Sequence, residues 1–301
     1  MPVHIPVLTA PLLHHLKLQP GARCIDATID GGGHTAAMLE CTAPDGQVLG
    51  IDRDPELLTA ARRTLSGAVE AGRLHLVRGD FRELSCIAAA HRFETVAAVV
   101  FDLGVSSFHL DASDRGFSFM RDEPLDMRFD PEAASTETAA EVVNSRTAAE
   151  LAEVFRTFGE ERFAGRIAKA IVAQRQRAPI RTATQLFDVV TAALPARVRW
   201  RAARSTARVF QALRIAVNDE LQAIAQALPQ ALALLAPGGH LAVIAFHSLE
   251  DRLVKQFFVA ERQAGQVRIL TKKPLRAGDE EVAANPRAAS AKLRVCERTE
   301  T

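Results

Sequence analysis

Four aspartates mark where this chain can do chemistry. Asp26, Asp52 and Asp102 each close a short apolar run, and Asp80 follows another in Gly79-Asp80-Phe81. Just after the first of them comes Asp30-Gly31-Gly32-Gly33-His34. Glycines between a strand and a helix let the backbone approach a ligand and present amide groups at the helix N-terminus. Asp52, closing the next run, is placed to accept hydrogen bonds from both ribose hydroxyls of an adenosine. That pairing serves NAD and S-adenosylmethionine alike. The glycine spacing departs from Gly-x-Gly-x-x-Gly, which disfavours a dinucleotide. No Gly-x-x-x-x-Gly-Lys-Ser/Thr loop exists, which excludes a P-loop nucleotidase. Arg53 reads either as the partner of a 2′-phosphate or as a local ion pair within Asp52-Arg53-Asp54. Phe81 either faces an adenine or packs into the core.

The elements that must hold these residues read as βαβ units and hence a parallel sheet. Strands are expected at residues 23–28, 48–52, 74–77 and 96–101, with helices opening at Thr35 and at Pro55, the latter well suited to a first turn. Loops at four strand tips, all on one edge, follow the rule for ligand sites in open α/β sheets. Together they favour S-adenosylmethionine over a phosphate-bearing cofactor.

The alternation stops after Asp102 and resumes at 241–246, past the turn Pro237-Gly238-Gly239. A parallel crossover needs little more than one helix, so the excess reads as an inserted helical domain. Capping boxes at Thr147 to Glu150 and Thr182 to Gln185 open two of its helices. A third carries Phe163, Ile167 and Ile171, and a long helix with Phe210, Leu213, Val217 and Leu221 returns to the sheet. Charge divides the insert. Residues 108–155 hold 4 basic and 11 acidic side chains, whereas residues 156–214 hold 13 basic and 3 acidic. Arg197, Arg199, Arg201, Arg204 and Arg208 crowd around Trp200, the chain's only tryptophan. This is either the electrostatic footprint of a nucleic-acid surface or a solvated helix face.

Composition bounds the rest. At 301 residues with 48% hydrophobic content the chain can bury a large core and divide into two domains. Its net charge of +1 excludes a uniformly basic nucleic-acid binder. Cys24, Cys41, Cys86 and Cys296 form no Cys-x-x-Cys pair, a poor zinc or disulfide framework that suits a reducing cytoplasm. Strand-sized apolar runs and the lack of a signal pattern at the N-terminus speak against membrane insertion and secretion.

Beyond Asp102 the motifs become specific: Asp102-Leu103-Gly104-Val105-Ser106-Ser107, Arg115-Gly116-Phe117-Ser118-Phe119 and Pro124-Leu125-Asp126-Met127-Arg128. With these, and with His4-Ile5-Pro6-Val7-Leu8, Gly159-Glu160-Glu161-Arg162-Phe163, Phe210-Gln211-Ala212-Leu213-Arg214-Ile215, Phe246-His247-Ser248-Leu249-Glu250-Asp251-Arg252 and Asn285-Pro286-Arg287, the chain resembles the MraW/RsmH family from end to end. Those proteins are S-adenosylmethionine-dependent methyltransferases acting on N4 of a decoding-site cytosine in bacterial 16S rRNA. The resemblance implies an α/β fold: a class I (Rossmann-like) methyltransferase sheet over residues 1–107 and 216–301, with an inserted all-helical RNA-recognition domain at 108–215. It implies cofactor contacts at Gly32, Gly33, His34, Asp52, Phe81 and Asp102, and another at His109, where the family usually has Gln. Asp30 stands where the family usually has Gly, Ala207 where it has Thr, and Ala289 where it has Arg.

The exocyclic amine of cytosine is a weak nucleophile because its lone pair is delocalised into the ring. Transfer to it needs in-line placement and acceptors for the amine protons, but no metal. Asp102 either orients both cofactor and target amine or holds only the cofactor's amino group. Ser106 and His247 join it as catalytic candidates, with Ser248 beside the base. Arg115, Phe117 and Phe119 are candidates to stack on or flank an extruded base, with core packing expected for at least one of the two Phe, and Arg166, Arg199, Arg204 and Arg208 are expected to hold the RNA backbone. The expected partner is 16S rRNA, within the small ribosomal subunit; a homodimer stays open.

Overall fold

The computed structural model describes residues 6–133 and 136–300, so His4 and Ile5 of the N-terminal motif lie outside the described residues. The chain divides into two compact units, Met1–Gly104 with Leu221–Thr301, and Val105–Glu220. The divisions at 107/108 and 215/216 read from the sequence thus move outward. Val105 packs against the insert's own core, and the helix Ala202–Asn218 buries Val217 in that core past the expected boundary.

In the first unit the strands are β1 (Arg23–Asp26), β2 (Gln47–Asp52), β3 (Leu74–Arg78), β4 (Val96–Asp102), β5 (Leu235–Ala245), β6 (Val267–Ile269) and β7 (Lys292–Arg298). Their order in the sheet is β3-β2-β1-β4-β5-β7-β6. β1 to β5 run parallel, and β7 runs antiparallel to both β5 and β6. This is the Rossmann-like, doubly wound α/β sheet expected from the sequence.

Strand periodicity explains why its strands are apolar throughout. Cys24, Val48, Ala98 and Val100 enter one core, and their neighbours Ile25, Leu49, Val99 and Phe101 enter the other. With both faces covered, a parallel strand has no polar side until it leaves the sheet. The polar residues therefore collect at the tips, which is where Asp26, Asp52 and Asp102 stand.

Two features differ from the sequence reading. β5 begins at Leu235, so Pro237-Gly238-Gly239 lies inside the strand, where its register against β4 shifts between Val96 and Ala98. The long returning helix is two helices, Ala202–Asn218 and Glu220–Leu234, broken at Asp219 with a left-handed φ of 50°.

The second unit packs the helices Ala139–Ser145, Ala148–Thr157, Ala164–Arg175, Ala183–Ala193 and Ala202–Asn218 around Leu151, Phe155, Ile167, Ile171, Leu186, Val190 and Leu213. Thr138, Thr147 and Thr182 each close a capping box at the start of a helix. Gly159 is required by contact: a Cβ there would lie 2.6 Å from the carbonyl oxygen of Arg208 and 2.8 Å from that of Phe155.

Candidate active site

The order β3-β2-β1-β4-β5 reverses direction between β1 and β4, and the carboxyl ends of strands flanking such a reversal form the ligand crevice of an open α/β sheet. Asp26 closes β1 and Asp102 closes β4. The chain leaves β1 through Asp30, at φ 48°, and Gly32, at φ 86°, before the helix Gly33–Cys41. The turn brings His34 to Asp102, with Nε2 and Oδ2 3.3 Å apart. Burial opposes a charge on His34, but the adjacent Asp102 carboxylate, with the charges of Asp26 and Asp30, outweighs it and raises its pKa. Asp102 is fixed from behind, since its amide donates to the Thr28 hydroxyl at 2.6 Å. Its Oδ1 is buried with no hydrogen-bond partner among the described residues. Asp26 accepts from the Thr35 hydroxyl at 2.6 Å, and burial pushes its pKa up.

Asp52 terminates β2, accepting the Asp54 amide on Oδ1 at 2.9 Å and the Asp30 amide on Oδ2 at 3.1 Å. Each oxygen keeps lone-pair capacity for a further donor. Burial, together with the nearby Asp30 and Asp54 charges, pushes its pKa up to about 7 against the pull of those two amides. Arg53 lies 3.6 Å from Asp80. Asp80 in turn caps the short helix Phe81–Glu83, and Phe81 sets its ring edge-on to Phe101 at 5.6 Å.

At the tip of β5, His247 caps the helix Ser248–Gln263, and Glu250 accepts the amides of Phe246 at 2.8 Å and His247 at 3.2 Å. Nε2 of His247 lies 3.1 Å from Glu250 Oε1. Ser248, half-buried, begins that helix. Asp251 pairs with Arg294 of β7 at 2.6 Å, tying the loop to the sheet. His247 thus holds the loop's shape through Nδ1, while its Nε2 is buried with no hydrogen-bond partner among the described residues.

The MraW methylase family model matches residues 1–299. The chain belongs to the MraW methylase family. It is 50% identical, over 98% of its length and 93% of the other's, to Ribosomal RNA small subunit methyltransferase H of Thermomicrobium roseum. The proteins of that name from Heliobacterium modesticaldum and Syntrophotalea carbinolica are each 46% identical, with 98% of both chains covered.

A methylase of this family and fold draws its methyl group from S-adenosylmethionine, and the strand-tip residues fit that molecule. The buried Oδ1 of Asp102 has no donor among the described residues, which suits a proton-bearing nitrogen of cofactor or substrate. Asp52 has acceptor capacity for ribose hydroxyls, and the glycine turn ahead of the helix Gly33–Cys41 keeps backbone close at hand.

The insert's candidate residues fall into two groups. Ser106 caps the helix Ser107–Asp111, and its amide donates to Nδ1 of His109 at 3.2 Å. His109 is 4% exposed, packed against both Phe117 and Phe129 at 4.9 and 5.1 Å between ring centroids. The family's Gln position is thus filled by a ring within an aromatic cluster. Arg115, expected beside a base, is 6% exposed and donates to the carbonyl oxygens of Arg128 and Phe129 at 3.1 and 3.0 Å. Phe117 stacks on Phe129 at 5.6 Å. Both hold the insert together, and the order of charge in the sequence carried no sign of that.

The second group is exposed. Arg166, Arg199 and Arg204 stand in solvent, and Arg208, half-exposed, lies 3.8 Å from buried Glu161. Sequence reasoning missed Thr28 and Thr35, which support Asp102 and Asp26; a hydroxyl two positions past a strand-closing acid was the available signal for Thr28, and Thr35, nine positions on in the following helix, had none.

Proposed function

We propose that the chain transfers a methyl group from S-adenosylmethionine to the N4 amine of a cytosine in small-subunit rRNA, the 16S rRNA of the resemblance. The observation that carries this reading is Asp102. Its carboxylate is anchored through its amide to Thr28, neighbours His34, and offers a buried, unpartnered Oδ1. The names of the relatives at 46–50% identity support the RNA class.

S-adenosylmethionine supplies an activated methyl on a good leaving group. Asp52 receives the ribose hydroxyls, and the turn at Gly32, Gly33 and His34 holds the cofactor's backbone-facing side. Phe81 lies on the adenine side. Asp102 accepts a proton-bearing nitrogen, which localises the lone pair of an amine placed in line. Ser106 and His247 act as positioning residues through the helix starts they cap, with Ser248 in the second of those helix starts. The exposed Arg166, Arg199, Arg204 and Arg208 attract the phosphate backbone. The described residues contain no helix long and apolar enough to cross a membrane, and the reading places the chain with ribosomes in the cytoplasm.

The test is transfer of tritium from labelled S-adenosylmethionine to rRNA or small subunits from cells lacking the protein, followed by mass spectrometry of the digested RNA. N4-methylcytidine is the expected product. Label on another atom, on protein, or nowhere overturns the reading.

A further inference from the structure

The most exposed large aromatic side chain among the described residues is Trp200, at 75%. It sits on the short 3-10 helix Ala196–Arg201, and the guanidinium of Arg201 lies over its ring, 4.4 Å from the centroid. With Arg201 on one face and most of the indole in solvent, the opposite face is open. Tryptophan in a monomeric surface is costly to leave in water unless something covers it.

The surroundings say what covers it. Between Asp188 and Asp219 the chain has six arginines, Arg197, Arg199, Arg201, Arg204, Arg208 and Arg214, and no acid. Arg214 is taken by Glu220 at 2.7 Å, and Arg208 lies near Glu161. Arg197, Arg199, Arg201 and Arg204 are exposed and make no ion pair with any described residue. A solvated helix face of the ordinary kind interleaves both signs; this one concentrates four uncompensated guanidiniums around one bare indole. Phosphates answer the guanidiniums and a base answers the ring, because every base has a π-face and stacking does not demand a sequence. A base still held in a duplex has both faces occupied, so the ligand has an unpaired nucleotide.

We propose that Trp200 is a stacking platform for an unpaired base of the RNA substrate, with Arg201 backing the ring and Arg197, Arg199 and Arg204 engaging the flanking phosphates. The proposal rests on the RNA reading above and adds the strand state of the RNA and the residue that senses it.

The chain provides its own reporter. It has one tryptophan and no tyrosine, so its indole emission comes from Trp200 alone. The full chain is titrated with a single-stranded cytidine–uridine oligonucleotide, with a blunt RNA duplex of equal charge, and with polyglutamate. Saturable quenching by the single strand at concentrations where the duplex gives little is the expected result. In parallel, anisotropy of the labelled single strand should show Trp200→Leu weakening binding by about 5- to 150-fold, with Trp200→Phe retaining most of the affinity. An unchanged emission while anisotropy reports binding overturns the platform, as does a Trp200→Leu variant that binds like the parent. Equal quenching by polyglutamate overturns it in favour of an acidic protein partner. Failure here stays distinct from failure of the proposed function: N4-methylcytidine formed with a silent Trp200 sinks only the platform. Quenching by RNA whose modified atom lies elsewhere supports the platform and sinks only the cytosine-N4 assignment.

Discussion

The strand tips of the first unit and the arginine-rich end of the second are both charged, and they use charge in opposite ways. At the tips, Asp26, Asp52 and Asp102 are buried or half-buried, and each is held by backbone or hydroxyl groups close behind it. Their geometry is set before any ligand arrives, which is what an interaction needs if it is to count most at the reacting centre. Around Trp200 the arginines are exposed and unheld. Long, solvated side chains gain little from any one contact and much from their sum, and they yield to salt. The contrast is between geometry preset by backbone and hydroxyl groups in one unit and exposed, unheld charge in the other.

The strongest way to break that comparison is at Asp102. Asp102→Asn keeps the size and the amide bond to Thr28 but loses the carboxylate. Its kcat for methyl transfer should fall by about 10²- to 10⁴-fold, the range for a positioned proton acceptor, while circular dichroism stays unchanged. A variant that turns over at the parental rate would reduce Asp102 to a cofactor anchor.

The next effect is set by protons. Asp52 has a folded pKa of about 7 against an ordinary 3.8. Between those values the folded chain holds a proton that the unfolded chain has released. This group's contribution to stability is therefore full below 3.8 and is lost as pH rises through 7. Ribose hydroxyls donate to the ionised form, so cofactor binding expels that proton. Calorimetric affinity for S-adenosylmethionine should rise about tenfold per pH unit from 5 towards 7 and then level off. The Asp30 charge is one cause of the raised value, so Asp30→Gly should move the break to lower pH; an unmoved break would leave burial and the Asp54 charge as the causes. That variant also relieves a non-glycine residue at φ 48°.

Much of the first unit was legible because burial on both faces forces apolar strands and drives polar residues to the tips. Asp26, Asp52 and Asp102 mark the ends of β1, β2 and β4 in the sequence as they do in space. β6 and β7 were not read from the sequence: Val267–Ile269 is three residues long, and the alternation in Lys292–Arg298 breaks at Val295-Cys296. The break at Asp219 was hidden too, because apolar spacing continues across it and only a backbone angle records it. In the insert, residue type misled. Arg115 and Phe117 have the chemistry of a base clamp, yet hydrogen bonds to two carbonyl oxygens and stacking on Phe129 commit them to the interior. Charge pattern along a chain does not tell which arginine is buried; partners do.

The smallest expected effect sharpens the comparison most, because it separates summed attraction from fixed contact. Arg199→Gln and Arg204→Gln each remove one exposed guanidinium with no ion pair to disturb. Each should weaken single-stranded RNA binding only a few-fold at low salt, and each should make the slope of log affinity against log salt shallower by about 0.7, the counterion share of one phosphate contact. The double variant should show the sum of the two slope changes, since contacts that do not share a partner act independently. Asp102→Asn, measured on the same RNA, should leave that slope where it was. A slope that moves with Asp102 and not with Arg199 or Arg204 would mean that the strand tips, and not the arginine cluster, carry the electrostatic part of RNA binding.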